Sequence, residues 1–519
     1  IIYTDTTGSP PNDIAPSNGQ SLESNQFKIT KDSWNSNELS TVREHVCPNP
    51  STSANSDCED RMLWMLGKVI DSKVDDASDI DATTRWTVND VLHSSPVTIT
   101  YNGRDTNNDG VINEFFDKII VGTNDGALKM INAKSGKEDW SFIPQPLLEL
   151  QQSLFANAEG THNYGVDLSP VVKIIDVNKN GKVEPDDGDK VHAYFGMRRG
   201  GVYYYALDLT GTITQSSTTF NIIPKFLWRI QGNKPDVGGQ KDPFKFLTNT
   251  WSLPESTRIL TTSGGEEAFI FGGGYDTNLD NGFGTTPTAG NNNKGNMIFI
   301  VNPETGNLIF SIGGDNTNAT LKVPQMKYSF AAAPELLDTN GDGLTNRIYI
   351  ADTGGQIWRV DFNGDINHDG GAASAGSTVI GLLAQLSTEG TPADERRFFE
   401  TPEVAAVLDT RFTAANKQKY FLVAIGSGDR AHPLIEIVDD QFYGLRDFEI
   451  GNMVGGNGAE HIARNYPKNV SGVTSPIIQD DLIDVSNAIL SDNDTVTDAS
   501  FGWFIDFTET GHPGEKVLT

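Results

Sequence analysis

Short apolar runs of about four to seven residues alternate with turns rich in Gly, Asn and Asp from about residue 85 onwards. This alternation is typical of an all-β protein. Residues 1–60 are instead rich in Ser, Asn, Thr and Pro and show little periodicity, so we expect an irregular N-terminal segment there. Residues 61–70 carry an amphipathic pattern that predicts a short helix, and the main domain is expected to span 61–519.

A proline that usually follows a small residue and precedes an apolar run recurs along the chain at intervals of 68 to 84 residues. Each time, a second block follows with an apolar strand, a Gly-rich turn and another strand. One repeat supplies about four strands and cannot bury both of its faces alone, so radial stacking into a β-propeller is the expected solution. The repeats begin at Pro96, Pro170, Pro254, Pro334, Pro402 and Pro476.

The same repeats bound the number of blades. Six repeats, with strands added by the termini, predict six to eight blades, and we expect seven. The long repeat requires insertions between strands, so the predicted fold is a modified, quinoprotein-like seven-bladed β-propeller with irregular blades. A tandem of β-sandwiches is the alternative, and it is disfavoured because no linker-like stretch separates the repeats.

Two segments, 130–140 and 300–310, share a strand, an Asn, a Ser-Gly or Thr-Gly pair and then an aromatic residue. This pattern is similar to the tryptophan-docking blades of quinoprotein propellers. The Gly is expected to close a tight turn between antiparallel strands, and the aromatic residue to wedge between blades. The pattern favours the propeller fold and is only weak evidence for a quinone cofactor.

The net charge of the chain argues against several classes of binding partner. The 519 residues include 39 basic and 69 acidic residues, a net charge of −30. A chain this acidic is not expected to bind nucleic acid or an anionic membrane surface, whereas it suits a cation binder. No apolar run approaches the length that spans a bilayer, so no transmembrane segment is expected. The chain starts at Ile1 without a signal-peptide pattern, and we expect it to be a processed or trimmed piece.

The two cysteines lie close together in the sequence. Cys47 and Cys58 flank a polar segment typical of turns. One disulfide formed in an oxidising compartment is the favoured interpretation, and two free thiols are the alternative. A zinc site is not expected, since no further Cys or His pair has ligand spacing.

Four segments place oxygen-bearing side chains at alternate positions: 105–113, 176–184, 338–346 and 361–369. The first three have Asp or Asn at positions 1, 3 and 5, Gly at 6 and Asn or Glu at 9. Calcium takes six to eight oxygen ligands, Gly permits the sharp turn, and position 7 offers its carbonyl group. The candidate Ca²⁺ ligands are Asp105, Asn107, Asp109, Val111 and Asn113; Asp176, Asn178, Asn180, Lys182 and Glu184 with Asp187 at position 12; Asp338, Asn340, Asp342, Leu344 and Asn346; and Asp361, Asn363, Asp365, Asn367 and Asp369.

Ordinary turns are the alternative interpretation of these segments, because Asn-Gly and Asp-Gly are common in hairpins. Three occurrences of the full spacing in one chain favour calcium. The fourth segment is weaker, since Ile366 stands where Gly is wanted and a register starting at Asp365 fits equally well. The loop at 338 has only two carboxylates, which predicts modest affinity of the kind found at extracellular sites.

The chain resembles the PilY/PilC-type adhesins at the tip of bacterial type IV pili, in their C-terminal propeller domain. The resemblance runs from about residue 61 to the end and rests on several stretches in a fixed order. It is carried by 64–70, 85–99, 122–148, 164–178, 200–209, 272–278, 336–362, 426–429, 442–447 and 502–507.

The resemblance implies a modified seven-bladed propeller with a calcium loop at Asp338, Asn340, Asp342, Leu344 and Asn346. It also implies roles in pilus assembly, in balancing extension against retraction, in twitching motility and in surface adhesion. The implied partners are minor pilins, the pilus tip complex and a host or abiotic surface, at an extracellular location. The family usually closes the loop with Asp where this chain has Asn346, which should weaken binding. The family's usual N-terminal von Willebrand factor A-like domain is not evident here.

Three functions are compatible with these features. A non-enzymatic, calcium-dependent pilus adhesin and biogenesis factor is the first. The second is a quinone-cofactor dehydrogenase on the same propeller, which lacks support from an adjacent Cys-Cys pair or an evident active site. The third is a calcium propeller that binds a host receptor, although no RGD triplet occurs. We expect no enzymatic activity, and neither a Walker loop nor a G-x-S-x-G elbow is found.

Overall fold

The computed structural model describes most of the chain between residues 87 and 453 and shorter stretches on either side. The described residues are 1–5, 16–23, 27–30, 33, 37–47, 56–68, 70, 87–104, 114–157, 160, 162–181, 183–211, 222–280, 294–364, 366, 378–388, 391–410, 419–453, 466, 476–486, 501–507 and 516–517. The chain divides into two compact units, Ile1–Gln231 and Gly232–Thr519.

The first unit holds three α-helices and eleven strands among its described residues. The helices are α1 (Ser40–Val46), α2 (Ser56–Met65) and α3 (Leu150–Ala156). The strands are β1 (Ile2–Tyr3), β2 (Gln20–Ser21), β3 (Lys28–Ile29), β4 (Val97–Arg104), β5 (Glu114–Gly122), β6 (Leu128–Asn132), β7 (Glu138–Phe142), β8 (Val171–Ile175), β9 (Lys190–Gly196), β10 (Tyr203–Asp208) and β11 (Lys225–Gln231).

The second unit, in the part that the structure describes, contains strands and short 3₁₀ turns. Its strands are β12 (Glu255–Thr261), β13 (Gly264–Gly272), β14 (Met297–Val301), β15 (Leu308–Gly313), β16 (Leu321–Lys322), β17 (Glu335–Leu337), β18 (Arg347–Ala351), β19 (Gln356–Phe362), β20 (Thr378–Gln385), β21 (Glu403–Leu408), β22 (Lys419–Gly426), β23 (Gln441–Asp447), β24 (Ile483–Asp484) and β25 (Gly502–Asp506).

The described strands form five sheets, each built on a four-stranded antiparallel meander. The meanders are β4–β7 and β8–β11 in the first unit, and β12–β15, β17–β20 and β21–β22–β23–β25 in the second. A four-stranded meander is the unit of a propeller blade, and the fold is mostly β and of the propeller class. The expected blade number of seven stays a prediction, since many residues lie outside the described ranges.

Five of the six marker prolines immediately precede the first strand of a sheet, as the repeat pattern predicts. These strands are β4, β8, β12, β17 and β21. The sixth expectation is wrong. Ile477, after Pro476, forms a single parallel bridge with Ala384 at the edge of β20 rather than starting a sheet. Its N–H donates to the Leu383 carbonyl (2.8 Å), so the segment extends an existing sheet.

Residues near the start of the chain add edge strands to sheets formed much later. β1 pairs in parallel with β7, and β2 pairs with β11. The predicted addition of strands by the N-terminal segment is therefore confirmed. The proposed division between 1–60 and 61–519 stays a prediction.

The predicted helix at 61–70 is displaced, because α2 begins at Ser56 and ends at Met65. Gly67 ends it with φ at +84°, and the N–H of Lys68 donates to the Leu63 carbonyl (2.8 Å). A left-handed glycine with this hydrogen bond is a standard helix stop. The Cys47–Cys58 disulfide joins the end of α1 to α2, which confirms the predicted pairing.

The two motif segments form matching hairpins. In the β6–β7 turn, Asn132 Oδ1 accepts the N–H groups of Lys134 and Ser135 at 3.1 and 3.0 Å. In the β14–β15 turn, Asn302 accepts the equivalent pair at 2.9 and 3.1 Å. Gly136 and Gly306 have φ of +68° and +70°, as a tight turn requires. The predicted glycine-closed turns are confirmed.

Candidate metal loops

The loop at 338–346 connects β17 to β18 and is organised around the carboxylate of Asp338. Asp338 Oδ1 accepts the N–H of Gly341 (2.7 Å), and Oδ2 accepts the N–H of Gly343 (2.7 Å). Both glycines have positive φ, +76° and +83°, which wraps the backbone around the side chain. Hydrogen bonds from the N–H of Gly343 and then from that of Gly341 hold the pKa of Asp338 below its usual value.

Among the remaining candidates of this loop, Asn340 and Asp342 are in side-chain contact, and Asn346 is bonded to Thr339. Asn340 Nδ2 donates to Asp342 Oδ2 (2.9 Å), and the N–H of Leu344 donates to Asp342 Oδ1 (2.9 Å). Asn346 Oδ1 accepts both the N–H and the hydroxyl of Thr339, at 3.0 and 2.8 Å. The side-chain oxygens of positions 1, 3 and 5 therefore gather in one exposed loop. Carboxylate and amide oxygens are the ligands that Ca²⁺ prefers, so the donor set fits that ion.

The end of the loop is attached to the neighbouring sheet. The N–H of Thr345 donates to the carbonyl of Arg258 in β12 (2.7 Å), and the hydroxyls of Thr345 and Thr257 lie 2.6 Å apart. Order in the loop is thereby linked to the first strand of the preceding sheet.

The loop at 176–184, between β8 and β9, repeats the central feature. Asp176 Oδ2 accepts the N–H of Gly181, at position 6, over 2.7 Å. Glu184 at position 9 accepts hydrogen bonds from the side-chain amides of Asn178 and Asn180. Positions 1, 3, 5 and 9 thus converge. Asp187 lies in a 3₁₀ turn and is exposed, while Lys182 lies outside the described residues.

Sequence reasoning missed one residue that shapes this loop. Asp189, which is 1% exposed, accepts the N–H of Val177 (2.9 Å) and the N–H of Glu184 (2.8 Å). Its carboxylate therefore clamps both ends of the loop. The sequence feature that could have revealed this residue is an acidic side chain directly after Gly188, beyond the nine-residue span of the loop pattern. Val183 also bridges Tyr101 of β4, which attaches this loop to the preceding sheet as well.

The loop at 105–113 joins β4 to β5, but its residues lie outside the described ranges, including Asp105, Asn107, Asp109, Val111 and Asn113. Its position is still informative. All three D-x-N-x-[DN]-G loops connect the first and second strands of their sheets. The three segments therefore occupy equivalent places in three blades.

The structure contradicts the predicted role of Asp361 as a metal ligand, because its carboxylate is buried among guanidinium groups. Arg347 Nε and Arg359 Nε donate to Asp361 Oδ1 at 2.8 and 2.9 Å, and the N–H of Met453 donates to Oδ2 (2.7 Å). Burial would raise the pKa of Asp361, but the hydrogen bonds from Arg359 outweigh it and hold the pKa low. Asp361 belongs to strand β19 as a counter-ion and does not start a metal loop.

The other members of that segment add no evidence for a metal. Asn363 Nδ2 donates to the carbonyl of Met453 (2.9 Å). Asp365, Asn367 and Asp369 lie outside the described residues. Within the described ranges, no three His, Cys, Asp or Glu side chains converge to hold a metal. The two described loops would therefore rely on amide and carbonyl oxygens beside their carboxylates.

Comparison with known proteins points to one family. Residues 99–395 match the family model of the PilY1 beta-propeller domain. The type IV pilus biogenesis factor PilY1 of Pseudomonas aeruginosa strain PAK is 26% identical over 341 residues, 62% of this chain and 24% of that protein. A PilY1 homolog of Xylella fastidiosa strain Temecula1 is 29% identical over 257 residues, 48% of this chain and 14% of that protein. The chain thus spans about a quarter of the length of the Pseudomonas relative.

Solved structures include similar chains at low identity. The crystal structure of the Pseudomonas aeruginosa PilY1 C-terminal domain gives a TM-score of 0.45 at 19% identity, covering 78% of this chain and 73% of that chain. Quinohemoprotein alcohol dehydrogenase from Comamonas testosteroni gives 0.30 at 14% identity, covering 67% and 52%. In the described part of this chain, none of the helices has the length and apolar character needed to cross a membrane.

Proposed function

Because the chain belongs to the PilY1 β-propeller family of type IV pilus biogenesis factors, we propose that it is a calcium-binding, non-enzymatic propeller of the pilus. In this role it supports pilus assembly, balances extension against retraction and mediates adhesion to surfaces. The observation that carries calcium binding is the repeated loop geometry. In both described loops, the first Asp accepts the N–H of the glycine at position 6 over 2.7 Å.

The proposed ion acts on charge and on order. Asp338 and Asp342 repel each other in the absence of a cation, and Ca²⁺ would neutralise them through oxygen ligands. Hydrogen bonds already hold positions 1, 3 and 5 together in the loop, so the ion would mainly neutralise their carboxylates and draw position 9 toward them. Because Thr345 is bonded to β12, the gain in order would pass to the neighbouring sheet.

The partners follow from the family premise and stay proposals. We propose minor pilins and the pilus tip complex as the assembly partners, and a host or abiotic surface as the adhesion target. The location would then be the cell surface, at the pilus tip. A propeller blade whose loop is tightened by calcium would present a calcium-dependent face to these partners.

A calcium titration of chelator-stripped protein by calorimetry tests this proposal. Asp338→Ala and Asp342→Ala are each expected to remove one binding event while the circular dichroism spectrum is kept. Asp315→Asn, at an exposed position outside the loops, is the matched control and should bind as wild type does. Unchanged titrations in both loop variants would reduce the 338 loop to an ordinary turn.

Pilus function is tested in cells that produce the same variants. Asp338→Ala is expected to alter twitching motility and the number of surface pili, and Asp315→Asn is not. A loss of calcium binding with normal piliation and motility would contradict the proposed switch. Reduction of an electron-accepting dye after addition of quinone and calcium would contradict the non-enzymatic assignment.

A further inference from the structure

The loop at 338–346 contains an asparagine that is followed directly by a glycine, Asn340–Gly341. In such a pair the backbone nitrogen of the glycine can attack the side-chain carbonyl carbon of the asparagine, because glycine has no Cβ to hinder the approach. Both residues are exposed, and a Cβ placed on Gly341 would meet no atom within 4 Å beyond its chain neighbours. The surroundings of this pair therefore leave room for the ring that the attack forms.

Within the part of the chain that the structure describes, every hydrogen bond of Asn340 stays inside this loop. Its Nδ2 donates to Asp342 Oδ2 (2.9 Å), and its Oδ1 accepts the N–H of Asp342 (3.3 Å). Its own N–H donates to Asp338 Oδ1 (3.3 Å). All three hydrogen bonds are exposed to water, so the loop can open locally at a small cost in free energy.

One hydrogen bond restrains the attacking atom. The N–H of Gly341 donates to Asp338 Oδ1 over 2.7 Å. The Gly341 nitrogen must leave this hydrogen bond before it reaches the side chain of Asn340. The carboxylate of Asp338 therefore slows the attack without preventing it.

The described chain contains the same Asn-Gly-Asp sequence a second time, at 363–365. There the side chain is tied to another part of the fold, because Asn363 Nδ2 donates to the carbonyl of Met453 (2.9 Å) in a partly buried hydrogen bond. The side chain of Asn363 must break that hydrogen bond before Gly364 can attack it. Local sequence does not distinguish the two sites, whereas the fold favours reaction at Asn340.

We propose that Asn340 is a site of spontaneous deamidation whose rate is set by the hydrogen bonds of its loop. The Gly341 nitrogen forms a bond to Cγ of Asn340, and the side-chain nitrogen leaves as ammonia, which carries away the proton of the Gly341 N–H. Water then opens the resulting succinimide ring at either of its two carbonyl groups. The products are aspartate or isoaspartate at position 340, and the reaction needs no oxidant or reductant.

Each product changes the candidate metal loop. Aspartate would add a third carboxylate to those of Asp338 and Asp342, which should raise the affinity for calcium. Isoaspartate has the same charge, but it inserts a methylene group into the backbone and so disrupts the turn that wraps around Asp338. These consequences rest on the proposed calcium binding, whereas the deamidation itself does not.

Peptide mapping by mass spectrometry tests the proposal on the full 519-residue chain, incubated with a calcium chelator. In wild type, the peptide that contains Asn340 is expected to gain the mass of one deamidation faster than the peptide that contains Asn363. Asp338→Ala releases the N–H of Gly341 and should react at Asn340 about tenfold faster than wild type. Asn340→Gln cannot form a succinimide, so its peptide should keep its mass.

Three results would overturn the proposal. They are an Asn340 that stays intact in the folded protein long after a synthetic peptide of residues 336–346 has reacted, equal rates at Asn340 and Asn363, and equal rates in Asp338→Ala and wild type. A parallel incubation with saturating calcium separates this proposal from the calcium proposal. Slower reaction at Asn340 would support both, whereas reaction at Asn340 that is selective but unaffected by calcium would support deamidation and count against an ion in this loop.

Discussion

At the residue scale, Asn346 is the neutral side chain at position 9 of the proposed calcium loop at 338–346. Its Oδ1 already accepts two hydrogen bonds from Thr339, so the side chain is fixed within the loop. An amide supplies one neutral oxygen, whereas a carboxylate would supply charge as well. Affinity at calcium loops rises with the number of charged ligands.

Asn346→Asp is therefore expected to increase the calcium affinity of the loop by about tenfold, which corresponds to about 1.4 kcal/mol. A carboxylate can accept the same two hydrogen bonds from Thr339, so the calcium-free fold should be kept. Calorimetric titration measures the change. Asn307→Asp, in an exposed turn, adds the same charge elsewhere and should leave affinity unchanged. Equal affinities for wild type and Asn346→Asp would show that position 346 does not face the ion.

At the element scale, a buried ionic cluster joins the fourth sheet to the fifth. Arg359 Nη1 donates to Asp447 Oδ2 of β23 (2.8 Å), and the hydroxyls of Tyr349 and Tyr466 donate to the same oxygen at 2.6 and 2.9 Å. The side chains of Arg359, Asp361 and Asp447 have no exposed area. Every carboxylate in the cluster is satisfied, so its geometry specifies how the two sheets pack.

Asp361→Asn is expected to destabilise the protein by about 3–5 kcal/mol, because it leaves two buried guanidinium groups without their shared counter-ion. Chemical denaturation followed by tryptophan fluorescence measures the loss. Asp394 is 39% exposed and forms an ion pair with Arg396. Asp394→Asn breaks this pair and should lower the free energy of unfolding by less than about 1 kcal/mol. Similar losses in the two variants would refute the structural role assigned to the cluster.

Carboxylates on the first strands of three successive sheets also repel one another. Burial raises the pKa of Glu335 in β17, and the carboxylates of Glu403 in β21 and Glu255 in β12 raise it further. Each of these residues directly follows a marker proline. The ionised form of Glu335 is therefore disfavoured in the folded state, and its cost to stability grows as pH rises from 4.5 through the folded pKa.

Glu335→Gln should raise the melting temperature by about 1–3 °C at pH 8 and leave it nearly unchanged at pH 4. Differential scanning calorimetry at the two pH values checks this. The gain should shrink in 1 M salt, which screens charges on partly exposed strands. Glu436→Gln, an exposed acid outside these strands, is the control. A larger gain at pH 4 than at pH 8 would reverse the assigned direction.

At the scale of the whole molecule, the sequence predicts features that depend on local pattern. The marker prolines correctly predict the first strands of five sheets, and the Asn-x-x-[ST]-Gly motif correctly predicts two matching hairpins. Both succeed because turn chemistry acts within a few residues. Two-residue edge strands such as β1 carry no periodicity, so their distant partners cannot be read locally. Asp361 shows the same limit: its spacing fits a calcium loop, and only the fold brings Arg347 and Arg359 to it.

The disulfide offers a test at this largest scale, because it ties two helices into the core of the first unit. Cys47 is fully buried, Cys58 is 9% exposed, and both belong to the same hydrophobic cluster as Leu39, Val42 and Met62. Closing so short a loop limits the unfolded chain and contributes about 2–3 kcal/mol. Replacing both cysteines by alanine should therefore speed amide hydrogen exchange in α1, α2 and the strands that pack on them. Reduction of the wild-type disulfide should speed exchange in the same elements. If exchange in the alanine variant stays as slow as in the oxidised wild type, packing alone holds the helices.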